Sequence, residues 1–219
     1  MTKHFQRELE KIKKRILFLG AMVEERVRMA ITAIEEFDGE VAKKIIFSDH
    51  EIDEMEIEVE EECLKIMALH QPVAVDLRFL VAVIKINNDL ERIGDQAVNI
   101  AQRVQTITQK ERFDFVFDYS VMAEKAETML KMSLDALVNL DDDLAFKVLL
   151  LDDEVDDIKE KAYNLIKKAL SENPDNVSYL INLLLISRHL ERLADHATNI
   201  AEEVIYMIEG EIVRHGKKL

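Results

Sequence analysis

Glycine and proline are scarce in this chain: 219 residues include five glycines and two prolines. Both residues interrupt helices, so their scarcity points to long helices and away from a turn-rich β fold. Cysteine is reduced to Cys63, which excludes a disulfide framework or a cysteine metal cage and suits a reducing compartment. Its expected place is as a small apolar residue in the core. Positive charge is also short, with 29 Lys and Arg against 44 Asp and Glu, a net charge of −15 and a pI near 4.9. An acidic surface repels phosphate backbones, so no nucleic acid partner is expected, and cations or a basic protein surface are favoured. The longest apolar runs, FLVAVI and YLINLLLI, are far too short to span a bilayer. The charged start, MTKHFQRELEKIKKR, lacks the apolar stretch of a secretion signal. The expectation is a soluble, cytoplasmic protein without direct membrane insertion. A Gly-rich phosphate loop, an HExxH pair and a nucleophile elbow are all missing, and no enzyme is expected.

What the chain does have is helical periodicity. Leu9, Ile12, Ile16, Leu19, Val23, Val27, Ala30 and Ile34 lie along one helical stripe. Similar stripes predict six helices, over 3–37, 40–69, 74–109, 116–139, 142–171 and 176–209. Both prolines fall between them, in HQPV and SENPDN.

The two halves repeat one another. At an offset of 103, Met29 falls on Met132, Ala33 on Ala136, Asp38 on Asp141 and Lys44 on Lys147. Beyond the proline loops the offset is 100, and DLERIGDQAVNIA at Asp89 reappears as HLERLADHATNIA at His189. The fold class that follows is all-α: two tandem antiparallel three-helix bundles from an internal duplication, related by a pseudo-twofold. The boundary is set between a first repeat over 1–110 and a second over 111–219, joined by QKERFDFVFD.

Packing explains part of the repeated motif. Ile86, Leu90, Ile93, Ala97, Ile100 and Val104 share one helical face, the expected core face. Glu91 and Asp95 leave that face one turn apart, as do Glu191 and Asp195. The preceding helix of each half carries the same spacing, in Asp49 with Asp53 and Asp152 with Asp156. Like charges at i, i+4 destabilise a helix by a few tenths of a kcal/mol, roughly. Two such pairs on neighbouring helices concentrate four carboxylates, which hard cations such as Mg, Ca, Mn or iron would neutralise. The competing reading is a solvated acidic face with ordinary ion pairs to Arg92 and Arg192.

LERIGDQAVNIA and LERLADHATNIA, with DHEID and DDEVD and the duplicated layout, make the whole chain resemble the PhoU family of bacterial phosphate-transport accessory and regulatory proteins. The resemblance implies that Asp49, Asp53, Glu91, Asp95, Asp152, Asp156, Glu191 and Asp195 hold multinuclear metal clusters on the surface, iron in some members. It also implies a non-enzymatic regulator of inorganic phosphate uptake and phosphate-starvation signalling. Its implied partners are a phosphate ABC transporter ATPase subunit and a membrane sensor histidine kinase, with a homodimer as a possible assembly.

A metal-storage or metal-sensing helical protein is the alternative, and a helical scaffold with empty acidic faces is a third. A ferritin-like oxidase is disfavoured, because none of the six histidines has Glu three residues before it. His196 follows Asp195, but Gln96 takes its place in the first half, so His196 is read as a surface histidine. His70 and His189 have no repeat partners and receive no role. Gly94, where the second half has Ala194, is expected to admit a closely packed helix or ligand shell.

Overall fold

The computed structural model describes residues 3–109, 113, 115 and 117–213. Its elements are α1 (Lys3–Glu35), α2 (Gly39–Phe47), α3 (His50–His70), α4 (Ala74–Thr108), α5 (Tyr119–Asn139), α6 (Asp142–Glu172) and α7 (Val177–Glu209), with a 3-10 turn at Pro174–Asn176. There is no strand among the described residues. The expected helix start at 116 and the boundary at 110/111 lie outside the described residues.

The duplication is visible at the level of single turns. Phe37 and Leu140, equivalent at the offset of 103, both take left-handed backbone, with φ of 55° and 52°. The amide after each turns back onto its helix: Asp38 N donates to Ala33 O at 3.1 Å, and Asp141 N to Ala136 O at 3.0 Å. Each Asp then caps the next helix, Asp38 accepting from the amides of Glu40 and Val41 and Asp141 from that of Leu144. A side-chain oxygen at this position satisfies amides that the first turn of a helix leaves unpaired.

One expected helix is divided. The span 40–69 is α2 and α3, broken at Ser48, whereas its counterpart α6 runs through. The cause lies on α1. Buried Arg26 donates to Ser48 O at 2.9 Å and to Ile45 O at 3.4 Å, and Ser48 Oγ donates to Lys44 O at 2.8 Å. These bonds satisfy carbonyls that a helix break exposes. In the second half the equivalent positions are Met129 and Leu151, which lack such donors, and the helix continues.

Within the first half α4 packs on α1, α2 and α3, and within the second α7 packs on α5 and α6. The halves meet through α4 with α7, the most extensive contact, and through α1 with α5. Both are pairings of equivalent helices, as a pseudo-twofold requires. Arg78 Nε donates to Met207 O at 3.2 Å and Lys85 Nζ to Glu203 Oε1 at 3.1 Å, so α4 and α7 run antiparallel. The stripe from Ile86 to Val104 is buried in one continuous core, along with Ile12, Ile16, Leu19, Val23, Val27 and Ala30. Cys63 is buried there too, and burial pushes its thiol up to about 12, which keeps it unreactive.

Candidate metal centre

Each half gathers its own four acids. In the first half, Asp49 stands at the helix break before α3 and Asp53 one turn into α3, facing Glu91 and Asp95 on α4. Partial burial, then Asp53 and Asp95, raises Asp49 above the usual carboxylate range, and Arg26 and His50 oppose the shift. Glu91 is raised by burial, then by Asp95, Asp53 and Glu56, against the pull of Arg92. Its side chain is only 20% exposed, and Oε2 is buried with no hydrogen bond although Arg92 Nε lies 3.3 Å away. Arg92 also donates to Asp95 Oδ2 at 3.1 Å, an ion pair of the kind the solvated-face reading invokes.

A fifth acid joins this group. Glu56, a turn beyond Asp53, is raised by burial and then by Glu60 and Asp53, and Asn87 Nδ2 donates to its Oε1 at 3.1 Å.

The second half places Asp152 and Asp156 on α6 against Glu191 and Asp195 on α7. Burial raises Asp152 even though Thr198 Oγ1 donates to its Oδ1 at 3.3 Å. Asp195 is exposed as a residue, yet partial burial of its carboxyl and then the Glu191, Asp152 and Asp156 carboxylates push it up to about 6, against the pull of Lys159. Where the first half has Glu56 the second has Lys159, at the offset of 103. Lys159 Nζ bonds Glu191 Oε1 and lies 3.5 Å from Asp156 Oδ1. Asp153, the counterpart of His50, also raises Asp152, so beyond the paired acids the first cluster adds Glu56 and His50 and the second adds Lys159 and Asp153. The signal for this difference is a charge reversal between equivalent positions of the repeat, to which a pattern of paired acids is blind.

Between the clusters α4 and α7 pair across the pseudo-twofold. His196 Nδ1 lies 2.8 Å from Asp89 Oδ1, and His189 Nδ1 lies 2.8 Å from Gln96 Oε1. Because 189 matches 89 and 196 matches 96, each contact is the image of the other. His196, read as a surface histidine, and His189, read without a role, therefore both serve the interface between halves. Burial, then Arg103, Arg192 and Arg188, holds His189 down at about 4, so it is neutral at physiological pH. The axis passes between Arg92 and Ile93 and between Arg192 and Leu193, midway along these pairs. This brings the clusters onto one face, where Asp95, Asp152 and Asp195 line a shared groove with Arg92 and Arg192.

The family model of the PhoU domain matches residues 16–104 and again 119–204. The chain belongs to the PhoU family. All eight acids of the paired motifs fall inside the two matched PhoU segments. The phosphate-specific transport system accessory protein PhoU homolog of Clostridium acetobutylicum is 36% identical over 212 residues, covering 96% of this chain and 97% of that protein. The corresponding homolog of Pseudomonas aeruginosa is 35% identical over 216 residues, covering 98% of this chain and 89% of that protein. The crystal structure of PhoU from Pseudomonas aeruginosa superimposes with a TM-score of 0.90 at 34% identity, covering 94% of this chain and all of that one. That of the phosphate transport system regulatory protein PhoU from Streptococcus pneumoniae gives 0.84 at 29% identity, over 96% of this chain. Both confirm the duplicated all-helical architecture. No helix among the described residues is long and apolar enough to cross a membrane.

Proposed function

We propose that this protein is a non-enzymatic accessory and regulatory protein of phosphate-specific transport. It works in the cytoplasm as an adaptor between the ATPase subunit of a phosphate ABC transporter and a membrane sensor histidine kinase. When phosphate is plentiful it restrains uptake and phosphate-starvation gene expression. The observation that carries this reading is similarity over nearly the full length to proteins named as phosphate-specific transport accessory proteins.

Asp49, Asp53, Glu91 and Asp95, with Glu56, and Asp152, Asp156, Glu191 and Asp195 would hold multinuclear clusters of hard cations, iron first, with Mn, Mg or Ca as alternatives. The fit is chemical: Asp49, Glu91, Asp152 and Asp195, raised by burial and then by neighbouring carboxylates, and a buried Glu91 oxygen with no hydrogen bond gain from a cation that accepts their lone pairs. Bound metal would supply positive charge to the shared face and fix α3 on α4 and α6 on α7. With the clusters adjoining on one accessible face, bound metal would form part of a docking surface.

Deleting the gene should switch on a phosphate-starvation reporter in phosphate-replete cells, and the wild-type chain should restore repression. Affinity capture of the purified protein should retain the transporter ATPase and the kinase. Retention of neither, with metal bound in full, would leave the metal-storage reading standing and overturn the adaptor role.

A further inference from the structure

At the opposite end of α3 from the acidic face, three side chains converge that neither the repeat nor the family motif explains. His4 and Glu8 lie one turn apart near the start of α1, and His70 ends α3. The two oxygens of Glu8 divide between the imidazoles: Oε1 lies 3.3 Å from His4 Nε2, and Oε2 lies 2.5 Å from His70 Nε2. A ligand atom from each of the three residues lies within 4.8 Å of the other two. Glu8 is 92% buried by residue, an unusual place for a carboxylate, whereas His4 reaches solvent. Phe5, itself buried, packs its ring 5.0 Å from that of His70 and backs the site with an apolar wall.

We infer that His4, Glu8 and His70 form a metal site for Zn2+ or a similar borderline divalent ion, chemically distinct from the acidic clusters. Two imidazole nitrogens and one carboxylate are a ligand set that zinc accepts, and imidazole selects Zn, Ni, Co or Cu over Mg and Ca. Both histidines present Nε2 to the same carboxylate, so one ion can take all three groups. Bonds of about 2.0–2.1 Å in a tetrahedron need ligand atoms about 3.4 Å apart. Glu8 Oε1 already stands at about that distance from His4 Nε2, at 3.3 Å, while His70 Nε2 lies against the other oxygen, so binding turns the carboxylate and draws together three ligand atoms that now lie within 4.8 Å of one another. Water fills the fourth position on the exposed His4 side. His70 lies seventeen steps along α3 from Asp53, about 25 Å at 1.5 Å per residue, so the ion cannot be shared with the acidic face. Its effect is to clip the first turns of α1 to the last turn of α3.

The test uses full-length, untagged protein stripped with chelator and titrated with Co2+. Tetrahedral Co2+ with nitrogen ligands absorbs strongly in the visible, whereas six-coordinate Co2+ among oxygens absorbs weakly. One equivalent should develop the strong band, and Zn2+ should bleach it. His4→Ala and His70→Gln should each weaken that binding at least tenfold, and Glu91→Gln with Asp95→Asn should leave the band intact. Because His4 is exposed, His4→Ala should fold normally and the result does not hinge on stability. No strong band, a band insensitive to His4→Ala, or a band lost with the acidic pair would each overturn the site and leave an ion pair in its place.

Discussion

Ile52 fills the space that a side chain at Gly94 would need: a Cβ built on Gly94 would meet Ile52 Cδ1 at 3.1 Å and Cγ2 at 3.3 Å. The second half answers the same contact with a smaller residue on one helix and a larger one on the other, Val155 against Ala194. Alanine is the better helix former by about 1 kcal/mol, but overpacking a tight core costs about 1–3 kcal/mol. Gly94→Ala should therefore destabilise the protein by roughly 1 kcal/mol, the difference between these effects. In an Ile52→Val background the penalty should shrink, with a coupling of about 0.5 kcal/mol or more. A double-mutant cycle by urea unfolding in chelator measures it, and strict additivity would refute the contest for space.

The first acidic cluster should show an effect whose sign depends on metal. Replacing Glu91 by Gln and Asp95 by Asn should strip metal from the first half and leave the second loaded. In metal at a hundredfold excess over Kd the wild type should gain about 3 kcal/mol per site that the variant lacks. In chelator the same variant should be neutral or slightly more stable, because like-charge repulsion is relieved. Thermal unfolding with elemental analysis in both conditions decides the matter; equal stability and unchanged metal content would return these acids to a solvated face.

Lys159 should set the two clusters apart. An ammonium bonded to Glu191 competes with a cation for the same oxygens, so the second cluster should bind metal more weakly than the first. Lys159→Glu copies the first half's Glu56 and should tighten the second site at least tenfold, seen in a Mn2+ titration. In chelator the variant should unfold more readily, by roughly 1 kcal/mol, because a paired ammonium is exchanged for a further carboxylate.

Stability against pH should reveal two opposed groups. Asp195 is held at about 6 in the fold, against about 3.9 in an unfolded chain. A carboxyl raised by folding contributes stability that is present below about pH 4 and is lost as pH climbs through about 6. His189, held down at about 4, works the other way. Its contribution is present above about pH 6.5 and is lost as pH falls toward about 4. Without metal, Asp195→Asn should gain on the wild type as pH rises through this window, and His189→Gln should gain as pH falls. Urea unfolding across about pH 4 to 7 reads both slopes.

Sequence periodicity located the long helices because each is amphipathic over many turns, and prolines marked two of the connections. Paired acids were legible because the duplication states them twice. The break at Ser48 was not, because it depends on Arg26 reaching across from α1 to carbonyls on another helix. Its trace in the sequence is a mismatch, Arg26 and Ser48 where the second half has Met129 and Leu151. The contacts of His189 and His196 were hidden for a related reason. Their partners lie in the other half, and the apolar stripe of one helix does not say which polar residues flank the pairing of α4 with α7.

That pairing of equals has a consequence for how the molecule can change. In a homodimer every substitution is written twice, and the two halves find each other only as concentration allows. Here a single chain carries both copies, so their meeting is intramolecular and survives dilution. Each copy is also free to vary alone. An arginine can hold open a bend in one half, a lysine can temper the acids of the other, and the two acidic clusters of the shared face can carry unequal charge.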